Sequence, residues 1–165
     1  MPVFVKDVID DLKDFGRNPT KYPKLPMRGL EISPMVGIKS LNFRGTVKGS
    51  SGKNYIATCQ FHKVDYDSNE NEDIKEPIDV KGKKVFYAKP SMSLNPVMVK
   101  CTCPDFRFRF EKPLYDDKGL IGMWNRYTKV PGSNRGPVNP ENHLGLCKHL
   151  YSFVNKLIAQ SYIIK

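Results

Sequence analysis

Two short motifs, far apart in the chain, most narrow what it can fold into: "CTC" at residues 101–103 and "CKH" at residues 147–149. Between them, residues 104–146 scatter Pro104, Pro113, Pro131, Pro137 and Pro140 among Gly119, Gly122, Gly132, Gly136 and Gly145. So long an irregular excursion is uncommon in a compact domain unless something fixes its ends. In a strand, residues two apart point to one side, so Cys101 and Cys103 at the end of "PVMVKCT" can aim two sulfurs at one point. Cys147 and His149 open a segment of helical periodicity, where the chain is only entering helical geometry and a helix N-terminus favours thiolate over thiol. Three sulfurs and one imidazole make a tetrahedral zinc complement. We therefore expect one structural Zn2+ held by Cys101, Cys103, Cys147 and His149. Its apparent binding free energy, on the order of 10 kcal/mol, is enough to offset a loop-closure entropy that grows only slowly with length.

The chain has four cysteines and three histidines, and the remaining ones read differently. Cys59 shares a strand face with Tyr55 and Phe61 and belongs in the core. In "CQFH" the spacing imitates a ligand pair, but Cys59 and His62 fall on opposite strand faces. His62 and His143 read as surface or loop residues. The opening "MPVFVKDVIDDLKDF" carries acids every few residues and is no secretory signal. A reducing compartment is therefore expected, and with it free thiols, not disulfides. No apolar run approaches the roughly 20 residues that span a bilayer. Four protein ligands leave no open metal position for water. With no nucleophile motif, phosphate-cradling glycine loop or zinc-protease helix pair, the expectation is a protein that is not an enzyme.

Periodicity points to an α+β fold: a small antiparallel sheet of about four strands with an N-terminal and a C-terminal helix, zinc-stapled. Residues 3–15 place Val5, Val8, Ile9, Leu12 and Phe15 on one helical stripe, with Gly16 as the stop. "RNPTKYPKLPMRG" reads as an extended, hydrogen-bond-poor arm that crosses the surface or reaches a neighbour, so residues 1–34 are taken as helix plus proline-rich arm. Residues 38–48 and 54–66 alternate as the two strands of a hairpin. "KVFYA" and "PVMVKCT" supply two more strands. The last segment, "CKHLYSFVNKLIAQ", sets Leu150, Phe153, Val154, Leu157 and Ile158 at helical spacing. Residues 35–165 are thus read as one zinc-stabilised domain carrying the irregular loop 104–146; the chain's 165 residues suffice for one core.

"CTCPDF" followed by "CKHL" resembles the SWIM-type zinc finger, CxC, a spacer, then CxH, over residues 97–158. That resemblance implies the same four ligands; the spacer from Pro104 to Leu146 is longer than the family usually shows. More widely, "FRGTVKGSSGKNYIATCQF", "VKCTCPDFRFRF" and "NPENHLGLCKHLYSF" look similar to small proteins encoded by tailed bacteriophages. This implies a virion setting (tail, baseplate or neck), with assembly in the host cytoplasm and other virion proteins or further copies of the chain as partners.

Charge leaves two functions in view. The formal net charge is +10, which favours acidic partners. It is uneven: Arg17 to Lys53 holds eight basic residues against Glu31 alone, whereas "DYDSNENEDIKEP" is strongly acidic. A basic face beside an acidic stretch suits subunits packed head to tail. The leading expectation is a non-enzymatic structural subunit acting through protein–protein contacts. The alternative is a nucleic-acid-binding module, in which "FRFRF" would combine stacking with phosphate contacts. Arg107, Arg109, Lys112, Trp124, Arg126, Lys129 and Arg135 are the candidate contacts for either partner; Trp124, Tyr115 and Tyr127 read either as interface anchors or as the loop's own small core. Read by its own alternation, "FRFRF" is a strand or turn with phenylalanines inward. The final helix, whose only basic residues are Lys148 and Lys156, is a poor recognition helix.

Overall fold

The computed structural model describes residues 1–67, 74–124 and 138–165. Its centre is a four-stranded antiparallel sheet in the order β1-β2-β3-β7, formed by β1 (Met27–Met35), β2 (Ser40–Lys48), β3 (Asn54–Phe61) and β7 (Val97–Cys101). The alternation in the sequence becomes one buried face. Leu41, Phe43 and Val47 of β2, Ala57, Cys59 and Phe61 of β3, and Val97, Val99 and Cys101 of β7 all point into the core. Register places Phe43 opposite Cys59, Cys59 opposite Val99 and Ala57 opposite Cys101. Such a sheet, polar on one face and apolar on the other, needs a helical cover.

Helix α4 (Lys148–Ala159) supplies it with Leu150, Phe153, Val154 and Leu157. At Gly45, in the middle of β2, an added Cβ would lie 2.8 Å from the Phe153 ring, so the glycine lets helix and sheet close. Helix α1 (Val5–Asp14) buries Val5, Val8 and Leu12 on the expected stripe. It ends at Gly16, φ +80°, where Gly16 N–H donates to Lys13 O and Arg17 N–H to Leu12 O. That pattern is a Schellman stop.

Four readings change. Residues 27–35 are the edge strand β1, not part of a hydrogen-bond-poor arm. The prolines of the quoted stretch, Pro19, Pro23 and Pro26, all precede it, and Pro34 sits near its end, where an edge tolerates a missing N–H. A register shift between Arg28 and Glu31, with Gly29 at φ +62°, absorbs the misfit. Only the start of the arm crosses the surface: Ser152 of α4 donates to Pro23 O and accepts from Leu25 N–H. "KVFYA" does not join the main sheet. It lies in β6 (Lys83–Ala88), the middle of a second sheet with β4 (Tyr66–Asp67) and β5 (Ile74–Val80), turned at Lys81 and Gly82, both of positive φ. That two-residue turn favours hairpin pairing with the immediate neighbour.

"FRFRF" is not a strand. It runs through helix α2 (Pro104–Arg109), and Phe106 and Phe110, four residues apart, go inside while Phe108 stays outside. The signal that outranks period-2 alternation is Cys103-Pro104, an N-cap followed by proline at the first helical position. The stretch after "CTC" therefore begins ordered, with α2 and then α3 (Glu111–Asp116). Leu120 next bridges to Val99 on the free edge of β7.

The descent from residue 138 to the last helix is tied to α1. His143 makes 2.8 Å contacts to Asp11 through Nδ1 and to Glu141 through Nε2, and Leu144 N–H donates to Asp11. Asn139 closes the turn by donating to the carbonyls of Arg109 and His143. Asp11, then Glu141, raise the His143 pKa above its ordinary value of 6.5. A raised folded-state pKa gives stability that is complete below the unfolded value and is lost as pH rises through the folded one. The stability gap between the parent chain and His143→Ala, measured by urea melts, should therefore be wider below the ordinary value of 6.5 and narrow as pH rises through the raised folded-state value. A gap independent of pH would contradict the clasp.

Candidate metal centre

Each of the four candidate ligands has a different local reason for being where it is. Cys101 ends β7 and faces inward. Thr102 faces outward and is fastened to β3: its N–H donates to Ile56 O (3.1 Å), and Ile56 N–H donates to its Oγ1 (2.9 Å). That double tie holds the bend that returns Cys103 to the same side as Cys101. Cys103 is the N-cap of α2 and Cys147 the N-cap of α4; their sulfurs accept from Phe106 N–H (3.3 Å) and Leu150 N–H (3.5 Å). Two helix N-termini thus converge on the sulfurs, and both favour negative charge there. His149 lies in the first turn of α4, its ring 4.5 Å from that of Tyr55.

The four ligand atoms all lie within 4.8 Å of one another. A tetrahedral centre with bonds of about 2.0–2.3 Å has edges of roughly 3.3–3.8 Å, so small side-chain movements close the set on one ion. All four residues are buried, none more than 3% exposed. Both ring nitrogens of His149 are buried without a hydrogen-bond partner among the described residues, an expensive condition that a metal bond relieves. The cysteines are free thiols, not disulfides. Burial pushes the Cys147 pKa up, and the hydrogen bond with Cys103 pushes Cys101 up. Cys103 is held far below the thiol range by hydrogen bonds with Cys101 and Cys147. A divalent cation among the three sulfurs would favour the thiolate form of each. The cluster can hold one metal ion.

Cys59 is outside the cluster, fully buried, with its pKa pushed up to about 12 by burial. It is a core residue, as its strand face implied. His62 is a tether, with Nδ1 2.8 Å from Ser40 Oγ, and burial lowers its pKa.

Among the described residues, the charged and aromatic candidates are mostly engaged within the chain. Arg109 pairs with Asp105 (2.9 Å), which Arg17 also grips through two nitrogens. Lys112 pairs with Asp116 (2.6 Å) and lies over the Trp124 ring, itself 6.3 Å from that of Tyr115. Arg107 is exposed and lies 5.8 Å from the Phe108 ring. Arg126, Tyr127, Lys129 and Arg135 lie outside the described residues.

Sequence reasoning missed Gly49 and Tyr55. In the β2–β3 turn, a Cβ at Gly49 would sit 2.9 Å from the Tyr55 ring and 3.0 Å from His149 Nε2. No motif flags that glycine; only the fold brings the turn over the helix start. Gly49→Ala should cost about 1–3 kcal/mol by overpacking and weaken metal retention in a chelator competition. Unchanged retention would show that the turn does not set the imidazole.

No protein-family model matches the chain, no curated protein matches its sequence and no solved structure matches its fold. The centre stands on its geometry.

Proposed function

We propose that the chain is a zinc-stapled, non-enzymatic building block that works through protein–protein contacts, in the setting its resemblance implies: the particle of a tailed bacteriophage. One observation carries the staple: Cys101, Cys103, Cys147 and His149 converge and are buried, joining the end of β7 and the start of α2 to the start of α4. Three soft sulfurs with one imidazole suit zinc. Four protein ligands closed off from solvent suit a structural ion, since a catalytic zinc keeps a position for water or substrate. The pairing of Arg109 with Asp105 and of Lys112 with Asp116 leaves these side chains less available to phosphates, which favours protein partners over nucleic acid.

Elemental analysis of the purified chain should give one zinc per molecule, and cobalt exchange should give the visible bands of a tetrahedral thiolate site. An octahedral cobalt spectrum, or a stoichiometry near zero, would overturn the staple. The setting is tested separately, by mass spectrometry of purified particles; absence of the chain from them would overturn the virion role and leave the staple untouched.

A further inference from the structure

Where the arm crosses α4 it leaves an open groove of about 530 Å³, walled by residues 22–26 on one side and by α4 on the other. Tyr22 and Tyr151 meet edge to face across it, with ring centroids 5.7 Å apart. Lys24 and Lys156 stand exposed, Asn155 is exposed beside them, and no acidic residue lines the groove. Neither lysine has an ion pair among the described residues. This is an aromatic, hydrogen-bonding trough with unanswered positive charge.

The same chain carries the complementary charge elsewhere. From Asp65 to Glu76 the sequence has six acids (Asp65, Asp67, Glu70, Glu72, Asp73, Glu76) against Lys75 alone. The groove and the described flanks of that stretch sit apart. The arm wall meets β2 at its last residue, where Lys48 N–H donates to Pro26 O. Tyr66, in the acidic stretch, donates its hydroxyl to Ser40 O at the first residue of β2. Nine residues of strand separate these ends by roughly 27 Å at about 3.4 Å per residue. Both described flanks of the stretch, β4 and β5, pair with β6 at that far end.

We infer that the groove is the docking site for the acidic stretch, residues 65–76, of a second copy of this chain. The two surfaces differ, so every contact joins a groove to an acidic stretch, either reciprocally in a two-fold pair or head to tail in a ring or filament. Opposed charge gives such a contact its direction and its sensitivity to salt. The inference goes beyond the staple and holds whichever metal fills it.

The test is a charge swap, with zinc content and circular dichroism recorded for every chain so that a misfolded variant is not mistaken for a dissociated one. Sedimentation of the parent chain should show concentration-dependent association at low salt, about 0.05 M, weakened tenfold or more at about 0.5 M. Lys24→Glu with Lys156→Glu should be monomeric alone. Glu70→Lys with Glu72→Lys and Asp73→Lys should also be monomeric alone. Mixed, the two should associate again, because each then offers the other a complementary pair. A monomeric parent at low salt, or two variants that stay apart on mixing, would overturn the proposal. So would a synthetic peptide of residues 65–77 that binds the groove while the full chain stays monomeric, since the natural occupant would then be another protein.

Discussion

Cys147→Ser is expected to yield a chain that retains no zinc and shows no cooperative thermal transition, and Cys103→Ser should behave alike. The magnitude follows from two comparisons. A structural zinc site contributes about 10–16 kcal/mol of apparent binding free energy near neutral pH, available only to the folded form. Whole domains are stable by about 5–15 kcal/mol. Losing one ligand therefore removes a term as large as the total. Cys147 also accepts the Leu150 N–H at the start of α4, but serine is itself a favoured N-cap, so the substitution keeps that cap and isolates the loss of the metal bond. Cys59→Ser is the control. It places a hydroxyl in a fully buried site opposite Phe43 and Val99 and should lower stability, yet it should keep one zinc per chain, because Cys59 is outside the ligand cluster. Metal content and differential scanning calorimetry separate the two cases. Equal zinc in Cys147→Ser and Cys59→Ser would contradict the ligand assignment.

The convergence of Cys101, Cys103, Cys147 and His149 was legible because its signals are local and chemical. A CxC at a strand end and a CxH at a helix start restrict geometry by themselves, and few buried environments place three thiols and an imidazole at such spacing without a cation. The strands β2, β3 and β7 were legible for a similar reason, since one buried face stamps a period of two on the sequence. What the sequence concealed depends on partners distant in the chain. β1 is a strand only because β2 offers it an edge, and its flanking prolines argue against it until that edge is known. β6 carries the same pattern as a main-sheet strand; the Lys81–Gly82 turn decides its pairing. In α2, the alternation of arginine and phenylalanine concealed a four-residue spacing between Phe106 and Phe110, and the capping pair Cys103-Pro104 settled the choice. Gly49 carries no signal, because its role is to leave room beside Tyr55 and His149.

Phe153→Ala tests whether the core holds α4 independently of the metal. Phe153 is fully buried and its ring fills the space left by Gly45, so truncation leaves a cavity that the sheet, fixed by its ladders, closes only in part. Such deletions cost about 3–5 kcal/mol. The candidate ligands Cys147 and His149 lie one to two turns away, at the start of the same helix, and their local supports, the Leu150 N–H and the Tyr55 ring, are untouched. The expected variant thus keeps one zinc per chain while its urea midpoint falls by the equivalent of that cost. A loss under about 1 kcal/mol would mean that the metal alone anchors the helix, because no well-packed core gives up a phenylalanine so cheaply. Loss of zinc together with stability would mean the opposite: that the helix start is positioned by packing further along it, and that the staple closes on a frame the core has already built.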